Sequence, residues 1–380
     1  MVRITRREFL KYCSVAAGAL GLSASTLMKV ENVLANPSAP TVVWIAGAAC
    51  TGCTMSLLNT VFYTTIDDLL LNKINLAYLD TAMATAGSYI DGVQYAGANA
   101  LQAAQDAYNA GGYVLVVEGA IQTGTPTGGA AGEYCRIGKL VPGSDVDTMQ
   151  DVTAAFAQKA LAILCVGTCS SFGGIPGARG NVTGAKGVCF SGTKPGGAIE
   201  TNATNVRNRA AGSIAAKTIN ISGCPPHPDW IVGTIAHILD TNITLPEVNR
   251  DYQPVDYGYR EYQCNAGPCP WRFNNTQLRN NSNSGTDNST GFTQPDWNRR
   301  YPEGNSRALG VNKWTGTDLG CLGILGCKGR KTKADCSRRR WNADAAENYG
   351  VSWCVGSRSG CKGCTSPAFP DKVGKFFTFV

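Results

Sequence analysis

Little of the 380-residue sequence is charged, 16% against 43% hydrophobic, and that balance excludes a disordered chain, which would have too little apolar surface to bury. No internal apolar run approaches membrane-span length; the one near it, at the extreme N-terminus, is broken by Gly and Ser. No segment repeats at a fixed period, so solenoids and propellers are excluded as well. Histidine is scarce. His227 and His237 are the only two, so any site beyond residue 240 has to do without imidazole. Cysteine is plentiful by contrast. Its 16 occurrences are roughly 4% of the chain, above ordinary usage yet below the density of a small scaffold held by disulfides.

The first 35 residues read as a targeting segment, to be set aside before the fold is considered. Thr5 to Lys11 is TRREFLK, with Arg6 and Arg7 adjacent, and a weakly apolar stretch follows to Met28. Val33-Leu34-Ala35 supplies a small-residue cleavage site ahead of Asn36-Pro37. This is the twin-arginine export pattern, and it directs the protein to the periplasm or beyond. Removing the segment takes five Lys/Arg and two Glu, which lowers the net charge from +7 to +4, too little to argue for nucleic acid. The route transports folded proteins, so cysteines can be committed to metal before they meet an oxidising compartment. Metal ligation therefore outranks disulfides.

From Thr41 to Asp240 short β-rich runs alternate with helical ones. Strands are expected at Thr41 to Ala46, Ile74 to Asp80, Gly112 to Glu118, Leu161 to Gly167 and Lys217 to Ser222. Helices are expected at Met55 to Leu71, Ala98 to Ala110, Asp147 to Ala160 and Asp229 to Leu239. The strands are continuous apolar runs without polar alternation (VVWIA, YVLVVEG, LAILCVG), as strands buried on both faces require. Residues 36–244 are thus an α/β domain with a mainly parallel sheet. From 245 to 380 the chain turns to Gly, Asn, Pro and Arg with eight cysteines, and it lacks the periodicity of a side-chain core. The stretch 274–291 is a low-complexity polar loop.

Cys50 and Cys53 follow the first strand, Cys169 the fourth and Cys224 the fifth. The C-terminal ends of parallel strands share one edge, where ligands bind, so these four thiols converge on one crevice as a metal or iron-sulfur site. The second region carries Cys264, Cys269, Cys321, Cys327, Cys336, Cys354, Cys361 and Cys364, which chemistry alone leaves open to zinc or iron-sulfur. A basic run there, Lys328, Arg330, Lys331, Lys333 and Arg338 to Arg340, reads as a solvated face, a docking surface for an acidic redox partner, or a nucleic-acid reader. Folded export disfavours the last.

CTGCTMSLLN at Cys50, VEGAIQTG at Val117, VGTCSSFGGIPGARGNVTGAK at Val166, SGCPPHPDWIVGT at Ser222, LGCKGRKTKADCSRRRWN at Leu325 and GCKGC at Gly360 together resemble the small subunit of nickel-iron hydrogenases, most closely the nickel-iron-selenium type. The resemblance spans nearly all of the mature chain. It implies a flavodoxin-like N-terminal domain holding a proximal 4Fe-4S cluster on Cys50, Cys53, Cys169 and Cys224, and a loop-rich C-terminal domain organised by two more clusters. It implies a medial cluster on Cys336, Cys361 and Cys364, with Cys354 where many members have Pro; a fourth thiolate favours 4Fe-4S over 3Fe-4S. It also implies a distal cluster on Cys264, Cys321 and Cys327. There the family's histidine is replaced by Glu261, which leaves Cys269, Glu261 or a three-iron cluster as the resolution. Ala49 stands where many members carry Glu.

The function implied is an electron-transfer subunit without catalytic residues of its own. It would pair with a large subunit holding the nickel-iron centre and deliver electrons to a carrier such as a c-type cytochrome, with no nucleic acid and no membrane anchor in this chain. The alternatives are a zinc-stabilised Cys-rich binding protein and a redox subunit of a related complex without hydrogenase activity. His227 is expected to pack or hydrogen-bond near the first site, and Cys135, Cys165 and Cys189 to fill the core. Glu118 is a candidate for tuning that site or relaying protons.

Overall fold

The computed structural model describes residues 40–61, 63–81, 100–201, 212–240, 244–257, 259, 327–329, 332–343, 350–357, 359–371 and 373. The export segment 1–35, Glu261, Cys264, Cys269, Cys321 and the polar stretch 274–291 lie outside them. The chain divides into two units, Met1–Pro254 and Val255–Val380.

The first unit is built on a five-stranded parallel sheet of β1 (Thr41–Ala46), β2 (Asn75–Leu79), β3 (Val114–Glu118), β4 (Ala162–Val166) and β5 (Thr218–Ile221). Its spatial order is β2-β1-β3-β4-β5. Every residue of β3, β4 and β5 is buried; β3 and β4 accordingly show no polar alternation, whereas β5 buries Thr218 and Asn220, whose side chains donate to the Ile214 and Asp251 carbonyls. Fully burying a Val, Leu or Ile side chain contributes ~1.5–3 kcal/mol, so these three strands supply much of the folding drive. Helices α1 (Gly52–Leu58), α2 (Ala100–Ala110), α3 (Met149–Lys159), α4 (Thr168–Phe172) and α5 (Pro228–Asp240) connect or flank the strands. The start of α3 is fixed by Thr148, whose hydroxyl accepts the Asp151 amide at 3.1 Å, and its buried face presents Met149, Val152, Phe156 and Ala157 to the core.

The sheet order is that of flavodoxin-like folds, in which the connections reverse direction between β1 and β3 and leave a crevice at the strands' C-terminal ends. One helix differs from its expected span. In place of Met55 to Leu71, α1 begins at Gly52 and ends at Asn59, and a short helix Ile66–Asp68 then runs into a π turn, Leu69–Lys73. The early stop is local: the Asn59 amide turns back to the Ser56 carbonyl at 3.1 Å while its side chain donates to the Met55 carbonyl at 2.6 Å. The early start is not local, because its capping group comes from β3.

The unit extends to Pro254 because Tyr252 belongs to its core. The Tyr252 ring meets Phe190 edge-on at 4.9 Å, and its carbonyl accepts the Asn220 amide of β5 at 2.8 Å.

In the second unit the described elements are a short helix α6 (Cys336–Arg339) and an antiparallel pair, β6 (Trp341–Ala343) with β7 (Gly350–Ser352). Its buried side chains include Tyr257, Tyr259, Trp353, Val355, Phe369 and Val373, with Cys336 and Cys361 among them.

Candidate metal centres

The loops after β1, β4 and β5 meet at the sheet's C-terminal edge and are stitched together there. The Thr168 amide donates to the Gly223 carbonyl at 2.8 Å, and the Gly223 amide donates back to the Thr168 hydroxyl at 3.0 Å, which ties the Cys169 loop to the Cys224 loop. The Ser56 hydroxyl donates to the Pro226 carbonyl at 2.6 Å and joins α1 to the same place. Gly167 lies directly beneath Cys53. Its φ is +98°, and a β-carbon there would come within 2.6 Å of the Cys53 sulfur, so no other residue fits.

None of Cys50, Cys53, Cys169 and Cys224 is in a disulfide. They interact electrostatically: the Cys53 thiol is pushed well up, first by burial, then by Glu118, Cys169, Cys224 and Cys50. Burial, with Cys224 next, pushes Cys169 up to about 12. Four converging thiols, of which Cys53 and Cys169 are pushed up by burial, are a donor set for a cationic group, since a bound metal deprotonates a coordinating thiol outright. Among the described residues no three His, Cys, Asp or Glu side chains close around a single point as one ion would need. A set of four thiols is donor chemistry that an iron-sulfur group takes.

Glu118, at the end of β3, is 1% exposed and holds this edge in place. Its carboxylate accepts the Cys53 amide at 3.0 Å, the Thr54 amide at 3.2 Å, the Thr54 hydroxyl at 2.5 Å and the Trp44 indole N–H at 3.0 Å. Thr51, the residue ahead of α1, is left-handed at φ 63° and makes no side-chain cap, so Glu118 caps the helix from 64 residues away in sequence. Sequence reasoning marked Glu118 for tuning or proton relay but missed Trp44 and Thr54 as its partners. His227 packs as expected: it is 1% exposed, its Nδ1 accepts the Asp229 amide at 3.1 Å, and its ring lies 5.8 Å from Trp230. Cys165 and Cys189 are wholly buried in the core, whereas Cys135 is half-buried at its margin.

In the second unit Cys336, Cys354, Cys361 and Cys364 form a second group of thiols, none of them in a disulfide. Burial, then Cys364 and Cys361, push the Cys336 thiol up; a side-chain hydrogen bond with Cys354, then burial, push Cys361 up. Cys327 adjoins this group. The Cys361 amide donates to its sulfur at 3.2 Å.

Two residues of the basic run are folded into the unit. Lys328 is buried, and Arg339 pairs with Asp335 at 2.7 Å while its guanidinium lies 5.4 Å from the Tyr257 ring centre; Lys333 is exposed. Arg330 and Lys331 lie outside the described residues.

A parallel α/β unit with thiols at its switch point, joined to a Cys-rich second unit, is an oxidoreductase subunit by fold and by comparison. Residues 50–238 match the family model of the NADH ubiquinone oxidoreductase 20 Kd subunit, and residues 305–377 match that of the C-terminal part of the NiFe/NiFeSe hydrogenase small subunit. The periplasmic [NiFeSe] hydrogenase small subunit of Desulfomicrobium baculatum is 33% identical, the alignment covering 98% of each chain. The periplasmic [NiFe] hydrogenase small subunit 1 of Nitratidesulfovibrio vulgaris is 28% identical over 98% of this chain and 93% of its own. A solved structure of the reduced, active Ni-Fe-Se hydrogenase of Desulfomicrobium baculatum superposes with a TM-score of 0.61 at 31% identity, covering 90% of this chain and 99% of that one. The chain belongs to the small subunits of NiFe and NiFeSe hydrogenases.

Proposed function

We propose that this chain is the electron-transferring small subunit of an exported, periplasmic hydrogenase, holding three iron-sulfur clusters. The observation that carries the reading is the set of four thiols, Cys50, Cys53, Cys169 and Cys224, at the switch-point edge of a hydrogenase small-subunit fold. When bound, the clusters supply one-electron stations that divide a long transfer from the large subunit to an external carrier, such as a c-type cytochrome, into short ones. The chain's own work is to bind and orient. Cys50, Cys53, Cys169 and Cys224 hold the proximal 4Fe-4S group, and Glu118 fixes the loop on which the first two sit. Cys336, Cys354, Cys361 and Cys364 hold a medial 4Fe-4S group in the domain that begins near residue 245. Cys264, Cys321 and Cys327, with Cys269 as the favoured fourth ligand, hold the distal one.

The large subunit docks where the first unit leaves apolar side chains in solvent beside the exposed Cys50: Met55, Leu58, Val61 and Tyr63 are 52%, 38%, 45% and 50% exposed. No helix among the described residues is long and apolar enough to cross a membrane, and delivery follows from the Arg6-Arg7 signal. Purification of the native complex with metal analysis is the test. Nickel in a co-purifying larger subunit and about twelve irons in this chain are expected for three clusters; zinc in place of iron, or no nickel-bearing partner, would overturn the reading.

A further inference from the structure

The second unit buries a cation beside its cysteines. Lys328 follows Cys327 and is 4% exposed. Its amide donates to the Cys361 carbonyl at 2.7 Å, and its carbonyl accepts the Thr332 hydroxyl at 2.9 Å. Thr332 Oγ1 in turn lies 3.6 Å from the Cys361 sulfur, and the Cys361 amide closes the ring on the Cys327 sulfur at 3.2 Å. The stem of Lys328 packs on the turn between Cys361 and Cys364: a β-carbon on Gly363 would come 3.3 Å from Lys328 Cβ and 2.4 Å from Val373 Cγ1. Lys328 is thus wedged between a cysteine expected to serve one cluster and a cysteine expected to serve the next.

An ammonium withdrawn from water is costly unless a negative group answers it.

We propose that Lys328 is a fixed counter-charge for the iron-sulfur groups held by Cys327 and Cys361, favouring the reduced state of both. The inference rests on the cluster reading above. Each group gains one electron, and so one negative charge, from the preceding centre and returns it to the next acceptor, while Lys328 exchanges neither proton nor electron. A positive charge that stays in place lowers the energy of the more negative state, so it raises both reduction potentials and holds electrons at the exit end of the chain.

The test is an EPR-monitored redox titration of the intact heterodimer with K328M, K328Q and K328R, beside iron analysis. The neutral variants should shift the one-electron reduction of the Cys327 or Cys361 group at least tenfold toward the oxidised side, ~59 mV. K328R should stay near wild type, and the group on Cys50 should not move in any variant. Unshifted potentials in K328M and K328Q with full iron overturn the proposal. Should the neutral variants lose iron, retention by K328R supports the counter-charge and loss in K328R as well overturns it in favour of packing. A wild-type complex with iron for the first unit alone would refute the cluster reading itself, a result separable from all of these.

Discussion

Glu118 offers the sharpest perturbation of the first site. Its two oxygens accept four hydrogen bonds, three of them from N–H groups fixed in direction: the Trp44 indole and the Cys53 and Thr54 amides. Glu118→Gln keeps the shape but turns one acceptor into a donor. The least harmful orientation sets the new amide nitrogen against the Cys53 N–H alone, leaving one buried donor unmet at ~1–3 kcal/mol. Glu118→Ala strands all three, on the order of 3–9 kcal/mol before water enters, which rivals the entire stability of a typical domain. The strain falls on α1 first, since that helix has no side-chain cap of its own. Hydrogen exchange of amides 52–58 should therefore quicken by about tenfold to a hundredfold in Glu118→Gln. Glu118→Ala should also lose iron from the first unit. Wild-type exchange at 52–58 in both variants, with full iron in Glu118→Ala, would refute a capping role and return Glu118 to tuning or proton transfer.

Cys354→Pro should convert the medial group from 4Fe-4S to 3Fe-4S, read as a new three-iron EPR signal in the oxidised complex; a strong medial three-iron signal already present in the wild type would discount Cys354 as a ligand. Cys269→Ser should damage the distal group and slow reduction of an external acceptor severalfold while Glu261→Gln leaves both intact, because soft thiolate suits iron-sulfur better than carboxylate; the opposite pattern assigns Glu261, and tolerance of both assigns a three-iron cluster. Replacing Arg6 and Arg7 by Lys should leave the precursor in the cytoplasm, and undiminished periplasmic activity would count against the twin-arginine assignment.

The sheet was legible because burial on both faces writes itself into sequence: β1 is Thr41–Ala46 as expected, and the other four strands fall within two residues of their expected bounds. The convergence of Cys50, Cys53, Cys169 and Cys224 was legible for a topological reason, since all C-terminal strand ends face one edge. What escaped depends on partners distant in sequence. The start of α1 is set by Glu118, and no periodicity around Cys53 announces a cap from another strand. The basic run was misleading for a related reason. Lys328 and Arg339 look like surface charges in a string of Lys and Arg, yet one is wedged against the Cys361 turn and the other is pinned by Asp335 and Tyr257.

The two units place their cysteines by different physics, and the difference assigns different roles to the thiols. In the first, strands buried throughout carry the fold, and the thiols stand on loops that hydroxyls and amides have already joined; Cys50 is exposed and Cys53, Cys169 and Cys224 are partly so. That edge is preorganised, so a metal group bound as proposed would find its loops already joined. In the second unit Cys336 and Cys361 are themselves among the buried apolar residues, 5% and 2% exposed, beside aromatics and two valines. Thiols that serve as core and as ligands at once link metal binding to folding, because a site that exists only in the folded chain returns its binding energy as stability. On the proposed reading, an export route for folded proteins suits such a chain, because its second unit would take up its metal group before leaving the cytoplasm.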